Sequence, residues 1–258
     1  MIIKENFTYS PNGSNRMLHI YLPDDYYDSD ESYPVMYFFD GHNLFYDEDA
    51  TYGKSWGLKT FLDQWDKKMI IVGMECSHVG QERLSEYLPY PAIRKPFSQF
   101  DVQGDATLKW IVEEIKPYID QTYRTIPFRE CCGIAGSSMG GLMAFYGVSA
   151  YNEIFSKAAC ISSSINICMP AIQKQLENQT MDPDTRIFMS WGTREVKDLK
   201  DIHHIDTTSM TYARHYQILE YADEQDANMQ MFCQVEGGHC EADWEKLVPY
   251  FMQYLWQS

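Results

Sequence analysis

The chain has 258 residues, 45% of them hydrophobic and 15% aromatic, which is enough apolar side chain for one large core. Lys and Arg total 21 against 37 Asp and Glu, and the resulting net charge of −16 repels phosphate backbones and anionic lipid, so no nucleic-acid or membrane partner is expected. No run approaches the roughly 18 apolar residues of a membrane span. The N-terminal "MIIKENFTYSPNGSNR" lacks a secretory apolar stretch, so a cytoplasmic location is expected. Seven cysteines, an odd number without Cys-x-x-Cys pairs, read as reduced thiols.

The first elements in chain order are "IIKENFTY" and "MLHIYL", separated by a turn containing Pro11, Asn12 and Gly13. They predict an antiparallel hairpin. Short continuous apolar runs follow at 34–40, 69–75, 131–136, 157–162, 186–191 and 230–236. Continuous rather than alternating runs suit strands covered on both faces of a parallel sheet. Between them, Leu108, Ile111, Val112, Ile115 and Ile119 fall at helical spacing, as do Leu142, Phe145 and Tyr146. Trp244, Leu247, Val248, Phe251 and Leu255 mark a C-terminal helix. Pro117 and Pro249 predict a kink or a restart within two of these. A hairpin followed by alternating strands and helices implies one α/β domain over 1–258, with a mostly parallel sheet and helices on both faces. Segments 77–103 and 196–209 resist assignment and are candidate pocket or lid loops.

The chemistry gathers at "GSSMG", residues 136–140, between an apolar strand and a helical pattern. Strand, Gly-x-Ser-x-Gly, helix is the layout of a nucleophile elbow. Only Ser138 has glycine two residues away on both sides, which leaves Ser137 a supporting role at most. The helix N-terminus behind Ser138 favours developing negative charge. A serine nucleophile needs a base, and the base needs an orienting acid. His239, in "EGGHCEADW", stands between the last strand and the last helix, where an imidazole would sit over the sheet's carboxyl edge. Glu195 comes soonest after the "IFMSW" strand, with Asp198 as the fallback, and spacing alone does not decide between them. Met139 N–H is the first oxyanion donor, and His42 N–H in "DGHNLF" is the candidate second. His203 and His204 lie in a charged loop and read as solvated. His19 and His78 read as structural. No metal and no cofactor is expected.

The pieces "YLPDDY", "YPVMYFFDGHNLF", "RLSEYLPY", "KPYIDQTYRT", "GSSMGGLMAFY", "WGTRE" and "GGHCEADWEKLVPYFMQYL" run nearly end to end. On them the chain resembles the Putative esterase (esterase D-like) family of α/β-hydrolases, which includes enterochelin esterases, feruloyl esterases, S-formylglutathione hydrolases and mycolyltransferases. The resemblance implies an α/β-hydrolase fold and a serine carboxylesterase acting on small acyl, sugar or phenolic esters. An acyltransferase or thioesterase using the same residues is the alternative, and a non-catalytic binding protein on this fold is a third reading. In such relatives the acid stands three residues after the glycine of "GTRE", which implies Glu195 over Asp198. The same likeness implies a backbone role for His42 and no role for its ring. Candidate substrate contacts are Asn43, Tyr87 and Trp191, with Tyr90, Phe97 and Phe100 as further possible walls of an aromatic pocket. Arg83, Arg94 and Lys95 form the one local basic cluster, suited either to an anionic substrate or to pairing with this chain's own carboxylates. The expected partner is a small-molecule ester, and a homo-oligomer is compatible with the sequence.

Overall fold

A computed structural model describes residues 1–196 and 201–257. Its frame is an eight-stranded sheet: β1 (Ile2–Tyr9), β2 (Ser14–Tyr21), β3 (Val35–Phe39), β4 (Ile70–Met74), β5 (Cys132–Ser137), β6 (Lys157–Ile161), β7 (Arg186–Gly192) and β8 (Asn228–Gln234). The spatial order is β1-β2-β4-β3-β5-β6-β7-β8. The β1–β2 hairpin joins antiparallel through β2 and β4, and every pairing from β4 to β8 is parallel. This is the mostly parallel α/β sheet with an N-terminal hairpin that the sequence pattern predicts.

Parallel strands need crossover connections, and the crossing helices cover both faces. Val35, Tyr37 and Phe39 of β3 join the core on one face, with Leu108, Ile115, Leu142 and Phe145 from the helices. Met36 and Phe38 point the other way, into the core built on Leu58, Leu62, Phe251 and Leu255. Such alternation within a fully buried strand explains why its sequence is continuously apolar. The strand β8 departs from this pattern. It closes one edge of the sheet, and its residues are exposed or only half-buried rather than covered on both faces.

Both prolines act as expected. Pro117 lacks an N–H and would crowd the carbonyl four residues back. The helix Gly104–Trp110 accordingly widens into a π turn over Ile111–Ile115 before continuing as Lys116–Thr122. Pro249 is the second residue of a fresh helix, Val248–Trp256, set after the short helix Glu241–Glu245. The segment 77–103 is not structureless: it holds the helix Glu82–Glu86 and a 3-10 turn, Phe97–Gln99. Of 196–209, the part in 197–200 lies outside the described residues. No helix among the described residues is long and apolar enough to cross a membrane, and all seven cysteines are free.

Candidate active site

At the carboxyl edge of the sheet, three neighbouring strands end on non-glycine residues with left-handed backbone. Asp40 follows β3 at φ 59°, Ser138 follows β5 at φ 57°, and Ser162 follows β6 at φ 45°. This region is sterically unfavourable for side chains and persists only where the surroundings enforce it. At Ser138 (ψ −120°) the enforcement is visible. Its N–H donates to Ile161 O at 2.9 Å, and its carbonyl accepts from Leu142 N–H at 3.1 Å and Ser164 N–H at 2.9 Å. The glycines beside it are sterically obligatory. A Cβ on Gly136 would meet the Gly140 carbonyl carbon at 2.6 Å, and one on Gly141 would meet Ile161 O at 2.9 Å. Met139 opens the helix Met139–Ala150, so its N–H belongs to the first turn, where donors lack an intrahelical partner.

The turn after β3 is locked in a similar way. A Cβ on Gly41 would stand 2.3 Å from the Gly73 carbonyl carbon, so the backbones of this turn and β4 touch directly. Asp40 receives two charge-assisted bonds from Arg83, Nε to Oδ1 and Nη2 to Oδ2, each 2.7 Å. Burial works to raise the Asp40 pKa, but the Arg83 charge and its hydrogen bonds, with smaller help from His42 and Cys76, together hold the carboxylate below its ordinary range. Asn43 N–H closes onto Asp40 O at 2.9 Å. The neighbouring His42 N–H has no hydrogen-bond acceptor among the described residues. The His42 ring is buried, which lowers its pKa and keeps it neutral.

The loops after β7 and β8 carry Glu195 and His239. They are held together by backbone contact, since a Cβ on Gly192 would fall 2.2 Å from Gly237 O. Hydrogen bonds from Arg194 N–H to Gly237 O (3.0 Å) and from Glu236 N–H to Thr193 Oγ1 (2.8 Å) add to this. Glu195 Oε2 accepts from His239 Nδ1–H at 2.7 Å. Its Oε1 accepts from Ser162 Oγ–H and Gly192 N–H, both at 2.7 Å. The Trp244 indole N–H donates to Ser162 Oγ at 2.9 Å, and its ring meets His239 edge-on at 5.1 Å. The His239 Nδ1–H tautomer leaves Nε2 as a proton acceptor.

Ser138 and His239 line one cleft of ≈ 480 Å³, together with His42, Asn43, Arg83 and Glu241. This size suits a small molecule. Glu241, itself buried, also lines the cleft, and burial pushes its pKa up. Asn43 lines the cleft, though its Oδ1 already accepts from Thr51 N–H at 2.9 Å.

Two expected substrate contacts lie elsewhere. Tyr87 is buried beneath the cleft, with Phe39 at 5.0 Å, the Arg83 guanidinium over its ring, and its hydroxyl oxygen accepting from Asp40 N–H at 3.3 Å. Trp191 packs on His215 at 4.6 Å and faces a separate groove with Tyr212 and Tyr216. Tyr90, Phe97 and Phe100 pack on the core. His203 and His204 pair with Glu236 and Asp201 at the surface. Asp198 lies outside the described residues. Ser162 and the Asp40–Arg83 pair carry no sequence signature, because their partners are distant in the chain.

A strained serine between buried glycines at a strand-to-helix turn, on a mostly parallel sheet, is the nucleophile-elbow layout of the α/β-hydrolase type. The Putative esterase family matches residues 10–251, and the chain belongs to it, as a carboxylic ester hydrolase. It is 27% identical over 191 residues to "Uncharacterized protein YbbA" of Bacillus subtilis (strain 168), covering 73% of this chain and 72% of that one. An IroE-like serine hydrolase from Shewanella oneidensis is similar in structure, with a TM-score of 0.74 and 19% identity over 96% of this chain and 78% of that one. So is the enterobactin esterase FES from Shigella flexneri, solved in the presence of enterobactin, with a TM-score of 0.72 and 16% identity over 100% of this chain and 59% of that one. At these identities the structural likeness is one of fold.

Proposed function

We propose that the esterase works through a Ser138–His239–Glu195 triad on small esters. Ser138 Oγ attacks the ester carbonyl carbon while His239 Nε2 takes its proton. The carbonyl π pair moves onto oxygen, and the oxyanion is held by the N–H groups of Met139 and His42. As the tetrahedral intermediate collapses, the C–O bond breaks and the His239 proton passes to the departing alcohol. Water, deprotonated by His239, then attacks the acyl-enzyme, and the carboxylic acid leaves as Ser138 regains its proton. Glu195 fixes the His239 tautomer and stabilises the imidazolium.

The observation that carries this reading is the 2.7 Å bond from His239 to Glu195, beside the same cleft as strained Ser138. The small size of the substrate is read from the ≈ 480 Å³ cleft that holds both groups. Turnover of short p-nitrophenyl esters tests the triad. Ser138→Ala should lower kcat by on the order of 10⁶-fold, and undiminished turnover overturns the mechanism.

A further inference from the structure

Beside the turn after β3, a second group of side chains converges that the hydrolytic machinery does not use. His42, Glu75 and His78 each offer one ligand atom, and the three atoms lie within 4.8 Å of one another. The His42 ring is buried, with Nε2 2.9 Å from Thr51 Oγ1. Its other nitrogen, Nδ1, is buried without any hydrogen-bond partner. An unpaired buried polar atom costs about 1–3 kcal/mol, so it calls for a physical reason. With Nε2–H donating to the threonine, Nδ1 presents a bare lone pair, the state a metal-bound imidazole adopts when its second nitrogen is held by an outer partner.

The other two groups have matching arrangements. His78 Nε2 stands 3.3 Å from Glu75 Oε2. Tetrahedral coordination with bonds of about 2.0–2.1 Å separates neighbouring ligand atoms by about 3.3 Å. The second carboxylate oxygen, Oε1, is held by His19 Nε2 at 2.8 Å, so Glu75 also has an outer partner fixing its orientation. The His42 and His78 rings meet edge to face at 4.7 Å, and both line the cleft that holds Ser138.

We propose that His42, Glu75 and His78 form a binding site for a divalent transition cation of the zinc class. Two imidazoles and one carboxylate are a borderline donor set, suited to Zn²⁺ or Co²⁺ and poorly suited to Ca²⁺ or Mg²⁺, which take oxygen ligands. Three protein ligands leave a coordination position for water or a ligand oxygen, and the two histidines place the cation at the cleft wall. This revises the expectation that the chain holds no metal and that the His42 ring is idle.

Co²⁺ titration of the chelator-stripped full chain, followed in the visible absorption, tests the site without any activity readout. Failure of the triad mechanism therefore leaves this test intact. The expected result is one equivalent of Co²⁺ with a four- or five-coordinate visible band, displaced by Zn²⁺. His78→Ala and Glu75→Gln should each weaken binding at least 10-fold. His78 is exposed, so its alanine variant should keep its fold, and an unchanged circular dichroism spectrum checks that. A His203→Ala/His204→Ala variant should bind as the unaltered chain does. Absence of stoichiometric binding, affinity unchanged in His78→Ala, loss in the His203/His204 variant instead, or a thiolate charge-transfer band from the exposed Cys240 would each overturn the proposal.

Discussion

The turns after β3 and β5 differ from the loops after β7 and β8 in how deeply they are buried. All four combine close backbone contact with hydrogen bonds, but in the first pair Asp40, Gly41 and His42 are buried, and Asp40 and Ser138 are held in the left-handed region. In the second pair, which touches through Gly192 and Gly237, His239 remains 45% exposed. The groups proposed to attack and to hold the oxyanion need fixed positions, because a donor displaced by a fraction of an ångström loses most of its value. The proposed base must accept and return protons, and an exposed ring on a hydrogen-bonded tether can do so. On this account, rigidity is invested where charge develops and polar adjustability where protons move.

Substitutions can break this division at graded cost. After the nucleophile itself, the largest effect is expected from Glu195→Gln, which keeps the shape but offers His239 the wrong partner. A loss of about 10⁴-fold in kcat with little change in KM is predicted, and steady-state kinetics on a p-nitrophenyl ester would check it. Gly41→Ala attacks the packed side. Its methyl would collide with β4 backbone, so the turn must shift and carry the His42 N–H with it. About 100-fold in kcat, with about 1–3 kcal/mol of stability, should be lost together in kinetics and urea unfolding.

Ser162→Ala sits on the boundary between the two regions. It removes one donor to Glu195 and leaves the Trp244 indole N–H without its acceptor. About 1–3 kcal/mol of stability and roughly tenfold in kcat are expected to go, from one buried and one electrostatic consequence. The smallest effect belongs to Glu241→Gln, and it depends on pH. Burial raises the Glu241 pKa in the folded state, so the fold favours the protonated carboxyl. Its contribution is fully present below the unfolded pKa and is lost as pH rises through the folded one. The glutamine variant should therefore melt higher than the unaltered chain at pH 8 and equally at about pH 4, as read by thermal unfolding.

Much of this arrangement was legible in the sequence because it is local. The flanking glycines of "GSSMG", the acid loop in "WGTRE" and the histidine loop in "EGGHC" each occupy a few consecutive residues at a strand end, although spacing alone left Glu195 and Asp198 open and the family resemblance pointed to Glu195. What could not be read is tertiary. Arg83 appeared in a basic cluster without a target, and only folding brings it to Asp40, 43 positions away in the chain. Tyr87 and Trp191 looked like pocket walls because aromatic residues near a site read the same on either face. Here one is buried beneath the cleft and the other turns toward a different groove. The edge position of β8 was likewise hidden, since its apolar run resembles those of covered strands.

The central claim is that Ser138, and not its neighbour, is the nucleophile. Labelling with a fluorophosphonate, followed by peptide mass spectrometry, addresses it directly. The account predicts one phosphonyl adduct per chain, on Ser138, abolished by Ser138→Ala and retained in Ser137→Ala. An adduct on Ser137, or no adduct at all in a chain that still hydrolyses esters, would contradict it.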